Sequence, residues 1–152
     1  MAEDRSYIER NRAALARLRG LVERLSDEQL VQPLSNGLTA AEVLAHVAFW
    51  DGRALYLAEK WDNGGPGPQP KDYEPVNVDW INDAMRPLFQ LIPPRQAAQF
   101  AVQQAERVDQ KVAALTDVQL AQNRAAGSPL NVLRAAHRLE HVEELAREFG
   151  LG

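Results

Sequence analysis

Leu130-Asn131-Val132-Leu133-Arg134-Ala135-Ala136-His137-Arg138-Leu139-Glu140-His141-Val142-Glu143-Glu144-Leu145 is the stretch that decides the fold class. Leu130, Leu133, His137, His141 and Leu145 recur at spacings of three, four, four and four, the period of one helix face. The face is apolar at both ends. In its middle stand two imidazoles one turn apart. Pro129 suits a first helical position after Ser128, and Gly150 suits a stop after Phe149, so the pattern predicts a helix over residues 129–149.

Working outward, the same period recurs. Ile8, Leu15, Leu18, Val22 and Leu25 form one stripe and predict a first helix over 6–25. Ser26-Asp27-Glu28-Gln29-Leu30 restarts a short turn, and Pro33 and Asn36-Gly37 break the chain. Thr39-Ala40-Ala41-Glu42 is a capping-box signature. It opens a second helix that runs to about residue 61, with Val43, Val47, Trp50, Ala54, Leu57 and Trp61 inward and His46 beside them. The run from Asn63 to Pro70 is a firm stop. It is glycine-rich, but it lacks the strand–loop–helix context of a phosphate loop. A third helix is expected from residue 78 or 79, kinked or broken at Pro87 and Pro93-Pro94, and resuming to about 115. Ala97, Ala101, Ala105, Val108, Val112 and Leu115 form its stripe. A short internal echo relates residues 25–32 to 115–122, with Gly37 and Gly127 at the same offset. It favours two helix pairs joined by the long Gly/Pro connection, and is too short for a repeat array.

The 152 residues suit one compact domain spanning 1–152. Hydrophobic residues are 45% and charged residues 25%, enough apolar content for a core without staples. There is no cysteine, which excludes a disulfide framework, a thiolate metal site and a cysteine nucleophile. The net charge is −4, and the arginines of the first helix alternate with glutamates. No phosphate-binding stripe results, and nucleic acid is not expected as a partner. No run of 18 apolar residues appears, so no membrane span is expected. The opening Met-Ala-Glu-Asp-Arg does not read as a signal peptide. A cytoplasmic protein is expected.

His46, His137 and His141 are the only histidines. A pair at i and i+4, completed by a third imidazole from another helix, can form a facial set around one ion. Such a set leaves positions for water and substrate, and a divalent ion there favours the anionic form of either water or a thiol. The competing reading is a chance pair of core or border histidines. The spacer Arg138-Leu139-Glu140 is not that of His-Glu-x-x-His.

The segments Gly37-Leu38-Thr39-Ala40-Ala41-Glu42-Val43-Leu44-Ala45-His46-Val47-Ala48-Phe49-Trp50-Asp51 and His137-Arg138-Leu139-Glu140-His141 resemble the DinB-like (DinB/YfiT) superfamily of small helical metalloproteins. Val78-Asp79-Trp80-Ile81-Asn82 resembles the start of the third helix in one branch, and the likeness extends from the first helix to Phe149. The resemblance implies an all-α four-helix bundle, up-down-down-up with a long middle crossover. It implies a nickel, zinc or iron ion on His46, His137 and His141, and a homodimer. It also implies a metal-dependent S-transferase that joins a low-molecular-weight thiol such as bacillithiol, mycothiol or glutathione to a small electrophile. The alternatives are a metal-dependent hydrolase, a non-enzymatic small-molecule-binding or stress-protection protein, and a purely structural bundle.

Around the three histidines, Asp51 reads as a helix-surface acid before it reads as a partner of the site. Glu140 points partly away. Trp50 and Trp61 read as core or pocket wall, and Trp80 as cleft lining or crossover packing. Arg134 and Arg138, one turn apart, could meet an anionic substrate, although solvated arginines are the ordinary reading.

Overall fold

The computed structural model describes residues 2–62, 65–73, 75 and 77–152. Among them are seven α-helices and no named strand: α1 Ser6–Arg24, α2 Asp27–Val31, α3 Ala40–Asp62, α4 Asp79–Leu91, α5 Pro94–Ala113, α6 Asp117–Ala125 and α7 Ala135–Phe149. A 3₁₀ turn lies at Pro70–Asp72. An all-α protein is what the stripes predict. Asn63 and Gly64 of the expected Gly/Pro stop lie outside the described residues.

The apolar stripes become the packed faces. α3 and α5 make the most extensive helix pairing, while α1 lies against α5 and α7. Ala97, Ala98, Ala101 and Ala105 of α5 are fully buried, so backbones approach closely where the third stripe carries only methyl groups. One core cluster joins Leu18, Leu21 and Leu44 with these alanines and Leu145. A second joins Tyr7, Leu55, Val108, Val112 and Leu130.

The internal echo has a backbone basis. Ser26 and Thr116 each accept a hydrogen bond from the backbone N–H of the glutamine three residues on, at 3.1 Å in both cases. Gln29 and Gln119 each accept one in return, through Oε1, from the cap's backbone N–H at 2.9 Å. These are reciprocal capping boxes. Gly37 and Gly127 then both take φ +86°, a left-handed conformation that a side chain disfavours. After the second cap the chain forms α6, nine residues long, where the sequence reading expects only a connection. The expected third helix is two helices. Ile92 is extended (ψ 127°) ahead of Pro93, and Pro94 opens α5 at its first turn, the conformation that a following proline imposes. Pro87 is accommodated within α4.

The last helix departs most from expectation. It begins at Ala135, not near Pro129. Two buried asparagines hold the preceding segment out of the helix. Asn123 Nδ2 donates to the Leu130 carbonyl at 2.7 Å and its Oδ1 accepts from the Leu130 N–H at 3.1 Å. Asn11 Nδ2 donates to the Val132 carbonyl and its Oδ1 accepts from the Ala135 N–H, both at 2.9 Å. These side chains satisfy backbone groups that a helix would otherwise have paired. Ser128, at φ 57°, turns the chain into the segment. The result places Arg134 at the N-cap of α7.

Replacing Asn123 with Ala leaves a buried N–H and carbonyl of Leu130 unpaired. Each such orphan costs about 1–3 kcal/mol, so Asn123→Ala lowers stability by about 2–6 kcal/mol. Urea unfolding followed by circular dichroism checks this, and an unchanged midpoint would refute the clamp.

Candidate metal centre

α3 supplies His46, and α7 supplies His137 and His141. The Nε2 atoms of His46 and His137 lie 3.0 Å apart, and those of His141 and His137 3.2 Å apart. The three rings meet edge-on, with centroids 4.8–5.0 Å apart and interplanar angles of 64°, 80° and 85°. One ligand nitrogen from each ring lies within 4.8 Å of the others. All three side chains are half-buried.

This geometry fits a divalent ion. Zinc–nitrogen bonds of about 2.0–2.1 Å place two ligand nitrogens about 3.3–3.4 Å apart at a tetrahedral angle and about 2.9 Å apart at a right angle. The observed separations fall in and around that span. A neutral imidazole has one N–H and one lone pair, whereas His137 Nε2 faces two other ring nitrogens at hydrogen-bond distance. One ring nitrogen cannot serve both neighbours well, but a cation among the three lone pairs satisfies all of them. His141 Nδ1 lies 3.0 Å from Glu144 Oε2. The carboxylate accepts the Nδ1 proton, which leaves Nε2 as the free ligand atom. On the His46 side, Trp50 Nε1 donates to Asn82 Oδ1 at 2.8 Å, and Asn82 is also a hydrogen-bond partner of His46.

The site keeps His46 and His137 neutral. Burial, then the neighbouring charge of His141, lowers His46 to about 4, against the opposing hydrogen bond with Asn82. Burial lowers His137 to about 3, reinforced by His141, His46, Arg134 and Arg138. Neutral imidazole is the form that ligates metal.

Behind the histidines lies a chain of buried charge. Arg138 is fully buried. Its guanidinium donates twice to Asp109 of α5, at 2.9 Å each, once to Asp51 of α3 at 3.3 Å, and to the Asn11 carbonyl at 3.2 Å. Arg134 Nε donates to the other oxygen of Asp51 at 2.8 Å. Burial opposes the Arg138 charge, but the hydrogen bonds and charges of Asp109 and Asp51 outweigh it and its pKa rises. Burial likewise pushes Asp109 up, against the pull of Arg138. Arg138 Nε has no partner among the described residues.

Three expectations are thereby corrected. Asp51 is buried, because the inward face of α3 carries it to the two arginines. Arg134 and Arg138 are buried and paired, because carboxylates from two other helices meet them. Trp80 is 62% exposed and lies outside both cavities that reach the histidines. Trp50 is buried at the wall of one of those cavities, where the exposed Glu140 also sits. Trp61 packs half-buried against the second core cluster.

Asn11, Asn82, Asp109 and Glu144 escape the sequence reading. Glu144 stands three residues after His141 and Asp109 four after Ala105, helical spacings that carried the signal. For the two asparagines the sequence offers no such sign.

Two cavities meet at the histidines, of about 340 Å³ beside Trp50 and Arg134 and about 260 Å³ beside Val43 and Phe89. A larger one of about 630 Å³, between α1 and α7 near Gly20 and Ala146, touches none of the three.

Taken together, the helices and the converging nitrogens define an all-helical protein with a three-histidine cluster able to hold one metal ion. The chain belongs to the DinB superfamily, whose family model matches residues 10–144. No curated protein and no solved structure matches the chain significantly.

Removing one member of a buried ion network strands the others, at a cost of about 3–5 kcal/mol. Asp51→Ala destabilises the fold on that scale. Asp117→Ala, on an exposed ion pair with Arg5, changes it by less than about 1 kcal/mol. Parallel denaturant titrations compare the two, and equal effects would disprove the buried network's role.

Proposed function

We propose that this chain is a single-domain cytoplasmic metalloenzyme that transfers the sulfur of a low-molecular-weight thiol to a small electrophile. Its ion would be nickel, zinc or iron, held by His46, His137 and His141. The long helices α1, α3, α5 and α7 would run up-down-down-up, with α4 in the middle crossover. The observation that carries the reading is the convergence of three half-buried imidazole nitrogens at the meeting of two cavities, which offers room for two reactants.

When bound, the ion supplies a Lewis acid that favours the thiol sulfur as its anion. The chain's own residues do the rest. Glu144 holds the His141 tautomer. The Asp51 links to Arg134 and Arg138 tie α3 to the ligand-bearing end of α7, so the histidines keep their spacing. Leu38, Val43 and Phe89 line one side of the centre and limit water there. The sulfur electron pair forms the new sulfur–carbon bond. The leaving group departs with the pair of the bond that breaks, and the thiol proton passes to solvent.

The partners in this reading are small molecules and a second copy of the chain, with neither nucleic acid nor membrane. Trp80, Leu88 and Leu91 form an exposed apolar stripe on α4, which supports a homodimer. Among the described residues no helix is long and apolar enough to cross a membrane. Light scattering on the eluted protein should give twice the 16.9 kDa chain mass.

The primary test is elemental analysis of tag-free protein. Wild type should carry about one ion per chain and His137→Ala almost none, because a three-ligand site does not survive loss of a ligand. Glu144→Ala should retain metal but yield it to a chelator about 10–100-fold more readily. Thiol-dependent consumption of 1-chloro-2,4-dinitrobenzene, tested with each thiol in turn, should follow metal content. No metal in wild type after reconstitution at neutral pH would sink the reading.

A further inference from the structure

Three residues line both cavities at the histidines: His46, His141 and Asn82 of α4. Two of them belong to the cluster, and the third is a neutral amide. A neighbour fixes which way that amide points. Trp50 Nε1 lies 2.8 Å from the Asn82 side chain. An indole N–H can only donate, so the atom that faces it is the amide oxygen, Oδ1. Contact with Asn82 also favours the protonated ring of His46, as an accepting oxygen does. Both contacts therefore use the oxygen end.

The nitrogen end is unspent. Among the described residues Asn82 Nδ2 has no hydrogen-bond partner, and it is open to solvent. It carries two N–H donors. The helix behind it is firmly seated. Arg86 and Phe89 follow Asn82 on the same face of α4, four and seven residues on. Arg86 Nε donates to Glu42 of α3 at 2.9 Å, and Gln90 Nε2 donates to the same oxygen at 3.1 Å. Phe89 is buried in the core. The amide is held at both levels, by Trp50 at its oxygen and by the seating of its helix. Its N–H groups stand where both cavities reach His46 and His141. A donor fixed in advance needs no reorganisation when charge develops on an acceptor beside it.

We infer that Asn82 Nδ2 is the donor that receives an oxygen of the electrophile, and that the electrophile is one whose attacked carbon passes charge to a carbonyl or nitro oxygen. The inference rests on the histidines as the reacting centre, and it names the substrate class and the residue that selects it. As the sulfur pair forms the bond to carbon, a π pair moves onto that oxygen, where Asn82 meets the charge. The pair then returns as the leaving group departs with the electrons of its own bond. A simple alkyl halide has no such oxygen and gains nothing from this donor.

Acetophenone and isopropenylbenzene differ only in a carbonyl oxygen against a CH₂ group, and they test the donor by binding alone. In zinc-loaded protein labelled with the NMR-active nitrogen isotope, acetophenone should move the Asn82 side-chain NH₂ signals downfield, and isopropenylbenzene should not. Acetophenone should also bind about three- to tenfold tighter, the worth of one neutral hydrogen bond. Asn82→Asp keeps an oxygen for Trp50 but carries no N–H. It should erase that difference while zinc content stays at the wild-type level. The wild-type spectra decide the matter alone if the variant fails to fold. Equal binding of the two ligands would overturn the inference, as would a preference that survives Asn82→Asp, since the ion would then be holding the carbonyl. Zinc-free protein keeps the metal reading apart. A carbonyl preference there, lost in Asn82→Asp, upholds the donor even where metal content refutes the metalloenzyme.

Discussion

A full positive charge in the interior must be answered, and Arg138 is that charge. It adjoins His137 in sequence, so its own side chain is turned away from the imidazoles into the space among α1, α3 and α5. Asp109 and Asp51 answer it from two different helices, and Asp51 in turn holds Arg134. An isolated buried ion is prohibitively costly, so the network fixes how α3, α5 and α7 sit together more narrowly than apolar packing would. The imidazole spacing follows from that, because both helices that carry histidines also carry a member of the network.

The segment ahead of α7 shows a second constraint at work. Helical periodicity extends back to Leu130, yet the chain leaves that conformation because Asn11 and Asn123 offer its backbone groups other partners. Leu130 remains buried, so the apolar stripe is still used, but from a non-helical segment. The cost in helical hydrogen bonds is offset by side-chain ones.

These two features mark the boundary of what the sequence discloses. The stripes on α1, α3, α5 and α7 disclose an all-helical protein because burial of one helix face leaves a period that can be counted. The three histidines disclose a candidate centre because they are few and regularly placed. Asp51, Arg134 and Arg138 are visible as residues, but their burial is not. Residue type argues for solvent, and only the arrival of Asp109 from a distant part of the chain reverses that. The asparagine clamp is similarly silent, since it depends on the meeting of residue 11 with residues 132 and 135. α6 was half legible. Its cap repeats that of α2, but the apolar period that would extend it over nine residues is weak.

The sequence distance between the histidines carries one more consequence. His46 and His137 are 91 positions apart, so an ion shared between them would close a long loop of the chain. It would thus be a removable cross-link as well as a reaction centre. Binding to the folded form alone adds about 2.7 kcal/mol at free metal a hundredfold above the dissociation constant, a sizeable part of the margin by which a domain stays folded. The lifetime of the protein would then follow the free metal level of its surroundings, and scarcity of the ion would withdraw the molecule itself as well as its activity.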